Sequence, residues 1–128
     1  MIKIAIIVPE DTVRVAELAA KKFGEQIVVV QGSMDDGVEL AEHLERQGYD
    51  AIIARGGTQM LLTESNIDIP IISVPITLMD IFKSIEEAGK NDNDISLIVT
   101  SNMVQASRNC LLVSGKEIEI FQVENEIE

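Results

Sequence analysis

The residues best suited to chemistry are Arg55, Gly56, Gly57 and Thr58, which directly follow the apolar run Asp50–Ala54. Two glycines let the backbone turn sharply and leave its N–H groups uncovered. Thr58 is placed to cap a short helix through Met60–Leu62, and the N-terminus of such a helix favours an anion. Arg55 adds a permanent charge whose planar fork can hold a carboxylate at two points. Together these groups would bind a small anion. The same residues also suit a plain strand-to-helix turn with a surface arginine, because Gly-Gly turns are common. Spacing leaves both readings open. The motif is too short for a Walker phosphate loop, and Gly-x-Gly-x-x-Gly occurs nowhere in the chain.

Other polar groups have readier local explanations. Thr77 and Asp80, after Pro75, have the spacing of a helix capping box. Ser101 and Asn102 suit a cap on a fifth helix. Glu10 and Asp11 are adjacent carboxylates after the first apolar run, as in a magnesium-holding response-regulator receiver. That chemistry needs an Asp at the end of the third strand and a Lys after the fifth. The chain has Ala54-Arg55 and Thr100-Ser101 there, so the receiver reading is rejected. His43, beside Glu42 and Glu45, belongs on a solvated helix face, and Cys110 lies among apolar residues expected in the core.

Composition narrows the field further. Hydrophobic residues make up 46% of 128 positions, enough for the core of one domain. Ten Lys+Arg stand against 22 Asp+Glu, for a net charge of -12. Such a surface repels phosphate backbones and anionic membranes, so direct nucleic-acid or membrane binding by this chain is not expected. One cysteine allows no internal disulfide, and one histidine allows no multi-histidine metal site. No metal and no cofactor are expected. No apolar run approaches the roughly 18 residues of a membrane span. The start, Met1-Ile2-Lys3-Ile4, lacks a basic leader and a cleavage site, so cytoplasm is the expected compartment.

Six β-rich runs could position these residues: Ile2–Val8, Ile27–Gln31, Asp50–Ala54, Ile71–Val74, Ile95–Val99 and Glu117–Val123. The first five are apolar almost throughout, as in strands covered on both faces. Helical stripes lie between them: Val13, Ala16, Ala20 and Phe23; Val38, Ala41 and Leu44; Leu78, Ile81, Phe82, Ile85 and Ala88. Asp11 is placed to cap the first helix, and Ser33 with Asp36 the second. Gly24, Gly48 and Gly115 follow helices, and Gly89–Asp94 reads as a polar turn. The tail Glu124–Glu128 suits either a solvated end or the start of a helix. Alternating β and α predicts an α/β fold of flavodoxin-like construction, a mostly parallel sheet with helices on both faces. In such sheets ligands sit at the carboxyl ends of the strands. The loops to consider are therefore Pro9–Asp11, Gln31–Asp36, Arg55–Thr58, Pro75–Thr77 and Thr100–Asn102.

The stretch Asp50-Ala-Ile-Ile-Ala-Arg-Gly-Gly-Thr58 and the stretch Ile69-Pro-Ile-Ile-Ser-Val-Pro-Ile-Thr-Leu-Met-Asp-Ile81 together resemble the receptor domain of the propionate-catabolism activators (PrpR type). These are sigma-54-dependent transcriptional regulators. The resemblance extends more weakly from Ile2 to the Glu117–Val123 run. It implies a domain that senses a small effector and restrains an ATPase module, with DNA bound by a separate helix-turn-helix. In the namesake branch the effector is the tricarboxylate 2-methylcitrate, and that identity is not carried over. The resemblance also implies two similar α/β lobes with a cleft between them. It places Arg55, Gly56, Gly57, Thr58 and Asp80 at the cleft, with Thr77 and Ser101 as further members. Residues 1–94 would then be the first lobe, and 95–128 the start of a second lobe or a swapped extension. Thr77 and the Val99-Thr100-Ser101 stretch depart from many relatives.

Three functions are expected to compete. The first is a sensor for an anionic, carboxylate-type effector that acts on ATPase and DNA-binding modules outside this chain, with no catalytic residues of its own. The second is a stand-alone flavodoxin-like enzyme using Glu10 or Asp11, which requires turnover. The third is a ligand-free dimerisation module. A homo-oligomer is expected, because an incomplete second lobe leaves a strand edge open.

Overall fold

The computed structural model describes residues 1–90, 94–115 and 117–123, without the side chains of 113 and 114. Residues 91–93 of the expected polar turn and the tail from 124 onward lie outside the described residues. Two compact units divide the chain between Val74 and Pro75.

The first unit holds four strands: β1 (Ile4–Val8), β2 (Ile27–Gln31), β3 (Ala51–Arg55) and β4 (Ile71–Val74). All pairings are parallel, and the strand order is β2-β1-β3-β4. That is the flavodoxin-like arrangement the alternating pattern predicts. The helices are α1 (Val13–Ala20), α2 (Met34–Arg46) and α3 (Gly56–Glu64). Side chains alternate across a strand, and one face of this sheet carries the main core. Ala5, Ile7, Ile52 and Ala54 there meet Ala41 and Leu44 of α2 and Leu62 of α3. Ile7, Ile52 and Leu62 are fully buried, and each such side chain stabilises the fold by about 1.5–3 kcal/mol.

Two details differ from the sequence reading. Ile72 and Val74 are 45% and 42% exposed, although the strand was expected to be covered on both faces. β4 is the sheet edge, and its partner face in the core uses Ile71 instead. Phe23 is 64% exposed rather than part of the α1 stripe. The α-helix ends at Ala20, and the chain continues as 3₁₀ turns through Gly24, whose φ is +77°. The tighter winding breaks the 3.6-residue period that placed Phe23 inward.

The second unit contains α4 (Leu78–Gly89), β5 (Ser96–Thr100), α5 (Val104–Ser114) and β6 (Glu119–Val123). β5 and β6 form a separate two-stranded parallel sheet. Ile81 and Ile85 of α4 pack with Cys110 of α5, joined by Leu97 and Ile118. This packing is why the division falls ahead of α4 and not near residue 94. Gly115 ends α5 in the left-handed conformation, φ +71°, as its position after the helix suggested.

The step from strand to helix is built the same way in both units. After β1 the chain makes a 3₁₀ turn, Glu10–Thr12, before α1; after β5 it makes one at Ser101–Met103 before α5. Pro9 and Thr100 enter these turns at φ/ψ of -69°/164° and -79°/162°. Thr12 and Met103 leave them at -104°/-9° and -108°/-6°. The 3₁₀ turns put Thr12 and Met103, not Asp11 and Ser101, in the N-cap positions of α1 and α5, and neither makes a side-chain capping bond.

Candidate functional site at the carboxyl edge

In the first unit the chain runs from β1 outward to β2, then crosses back to place β3 on the other side of β1. The point where strand order reverses therefore lies between β1 and β3, where open α/β sheets bind ligands. The β1–β3 ladder is the shortest of the three in this sheet. β1 pairs with β2 up to Val8 and Gln31, and β3 pairs with β4 up to Arg55 and Val74. Between β1 and β3 the ladder stops at Ile6 and Ile53, short of both strand ends.

Arg55 stands two residues beyond the end of this ladder. It is the last residue of β3, the N-cap of α3, and exposed. Gly56 follows with φ +63°, a left-handed conformation that a side chain would strain. The helix begins at Gly56, three residues before the start that a cap at Thr58 would set. The Gly57 amide lies in the first turn of α3, where backbone donors point out of the helix N-terminus. Exposed Glu10 and Asp11 sit in the loop after β1, and the Thr12 hydroxyl donates to Asp11 Oδ1 over 3.0 Å.

Thr58 plays a different part from the expected cap. It is only 6% exposed, and its Oγ1 accepts the backbone N–H of Met34 over 2.8 Å. The loop after β2 is thereby tied to α3. Gly32 N–H also donates to Val8 O over 2.8 Å, so the same loop is tied to β1. The Ser33 side chain makes no capping bond to α2, contrary to the capping-box spacing. The importance of Met34 was not visible in the sequence. Its one trace is the pair Gly32 and Gly37 on either side of it.

Thr77, Asp80 and Ser101 belong to the second unit. Thr77 and Asp80 form the reciprocal cap their spacing predicted. Asp80 N–H donates to Thr77 Oγ1 over 3.2 Å, and Thr77 N–H donates to Asp80 Oδ2 over 2.9 Å. Ser101 is exposed in the turn after β5. A depression in this unit is lined by Asp94, Glu117 and Glu119 with Ile95, Ile118 and Leu111. It lies at the amino ends of β5 and β6, and its three carboxylates disfavour an anion. His43 is exposed and Cys110 buried, as their sequence settings suggested. Among the described residues, no three His, Cys, Asp or Glu side chains gather to hold a metal, and no helix is long and apolar enough to cross a membrane.

Strand order and parallel pairing define an α/β domain of flavodoxin-like construction. The model of the propionate catabolism activator family matches residues 21–128, and the chain belongs to that family. Its fold is similar to the crystal structure of an NtrC family transcriptional regulator from Clostridium acetobutylicum. The TM-score is 0.79 at 25% sequence identity, over 98% of this chain and 66% of the other, so this chain spans just under two thirds of the length of the chain it matches. No curated protein matches.

Proposed function

We propose that this chain is an effector-sensing domain of a sigma-54-dependent transcriptional regulator. Its ligand is a small anion of carboxylate type, received between the ends of β1 and β3 in the first unit. The observation that carries this reading is the β1–β3 ladder, which stops at Ile6 and Ile53 just where Arg55 and Gly56 follow. Arg55 supplies the charge, and the Gly57 amide at the start of α3 supplies a directed N–H group. Family membership and the NtrC-type neighbour support the regulatory role. The matching strand-to-helix torsions support a second lobe of the same plan beginning in Pro75–Glu128. The domain acts without catalysis, by population shift. Effector favours one of two arrangements, and the preferred one changes contacts with the ATPase module.

A thermal-shift screen with citrate, tricarballylate, succinate and propionate tests the reading. A ligand at about 100 times its Kd stabilises by roughly 2.7 kcal/mol, a rise of several degrees in Tm. At least one of these acids is expected to produce such a rise while remaining chemically unchanged. A flat response to all of them at millimolar concentration counts against a carboxylate sensor, and consumption of the acid points to an enzyme.

A further inference from the structure

We propose that Thr58 is a positioning residue that locks the loop after β2 onto the first turn of α3. Both branches of its side chain face α2. Oγ1 accepts the N–H of Met34, the first residue of α2, over 2.8 Å. Cγ2 lies against Gly37, one turn further along, so close that a Cβ built on Gly37 would stand 2.8 Å from it. A β-branched side chain is stiff about χ1, and Thr58 is 6% exposed. It cannot turn to satisfy one contact without giving up the other.

The latch replaces a local cap. The first amides of a helix need acceptors from outside the helix. Ser33 is in the N-cap position but its side chain makes no capping bond, and a hydroxyl 24 residues away in sequence serves Met34 instead. Met34 is also the one non-glycine residue among those described with positive φ, at +51°. Such a conformation persists only where its surroundings hold it. Thr58 and the close seat at Gly37 are those surroundings. Val8 O, through Gly32 N–H, holds the other end of the loop. The consequence is mechanical. Arg55–Gly57 leads directly into Thr58, and Gly32–Ser33 leads directly into Met34. A displacement of the α3 start is passed to α2. The use of that link in effector response rests on the function proposed above; the link itself does not.

Amide hydrogen exchange and thermal melting of four variants of the full chain test the latch without any ligand. Thr58→Val keeps the shape but removes the acceptor, and is expected to lower protection of the Met34 amide at least tenfold while Leu97 and Val99 are unchanged. Thr58→Ser keeps the hydroxyl and should retain that protection. Gly37→Ala should lower the melting temperature, and Gly37→Ala combined with Thr58→Ser should recover part of the loss, because removal of Cγ2 makes room for the new Cβ. Wild-type protection of Met34 in Thr58→Val overturns the proposal. So does a double variant no more stable than Gly37→Ala alone. If Thr58→Val does not fold, the Gly37–Thr58 size exchange decides the matter. Failure of every carboxylate to bind would remove the effector site and leave these exchange results standing.

Discussion

Glu45 Oε2 accepts two consecutive backbone N–H groups, from Asp68 over 2.6 Å and from Ile69 over 3.1 Å. One carboxylate on α2 thus fixes the chain as it leaves α3 for β4. It helps set the register in which Arg55 pairs with Val74. Hydrogen bonds to a charged acceptor contribute about 1.5–3 kcal/mol when shielded, and solvent screening at this half-buried site reduces that. Glu45→Ala is therefore expected to cost about 1–2 kcal/mol in urea unfolding. Glu45→Gln retains one acceptor and should cost less. A Glu45→Ala protein as stable as wild type would show that the clamp is incidental.

The cap at the start of α4 makes a separate prediction. Thr77→Ala removes the acceptor for Asp80 N–H and should destabilise by roughly 0.5–2 kcal/mol. Asp80→Ala removes the other half of the same reciprocal pair. The double variant should cost less than the two single losses added together, since neighbours in one network are not additive. Strictly additive losses in chemical denaturation would mean that the two bonds act independently.

Why this cap was legible and the latch was not comes down to sequence distance. Thr77 and Asp80 bond across three residues, so spacing alone encodes the geometry. The strands were legible for a similar reason, because Ile4–Val8 and Ile27–Gln31 are short apolar runs bounded by turn residues. Thr58 and Met34 meet only because α2 and α3 pack side by side, and no local pattern records that. In sequence Thr58 reads as a cap three residues too late. Ser33 and Asp36 read as a capping box, yet Ser33 makes no capping bond. Phe23 matched a helical period that the 3₁₀ turn interrupts. Arg55 was found because Gly-Gly after a buried strand is a local signal. The early end of the β1–β3 ladder, which gives that signal its setting, is a tertiary feature.

Ile98 and Phe121 lie opposite each other in the β5–β6 register and are 64% and 48% exposed. A parallel sheet normally has both faces covered. Self-association through this sheet is the expected outcome, and Ile98→Glu should shift the distribution toward monomer in sedimentation velocity. A wild-type protein that stays monomeric at high concentration would overturn the expected homo-oligomer.

Arg55 gives the prediction on which the effector site depends. Its backbone is extended, at φ/ψ of -138°/151°, and is held by pairing with Val74. Its side chain is exposed, so Arg55→Ala is expected to change folding stability by no more than about 0.5 kcal/mol. A bound carboxylate would lose a charged hydrogen-bonding partner, and its affinity should fall about tenfold or more, equivalent to roughly 1.4 kcal/mol. Gly56 separates this effect from damage to the turn. At φ +63° its backbone is in the left-handed region that a side chain strains, so Gly56→Ala should lower stability by about 1 kcal/mol. The two substitutions should therefore leave different signatures. Arg55→Ala melts like wild type and binds weakly; Gly56→Ala melts earlier whether or not ligand is present. Isothermal titration with whichever acid raises the melting temperature, run beside unliganded melts, reads both. Equal affinity in Arg55→Ala and wild type would mean that the effector sits elsewhere and that Arg55-Gly56-Gly57 is a structural turn only.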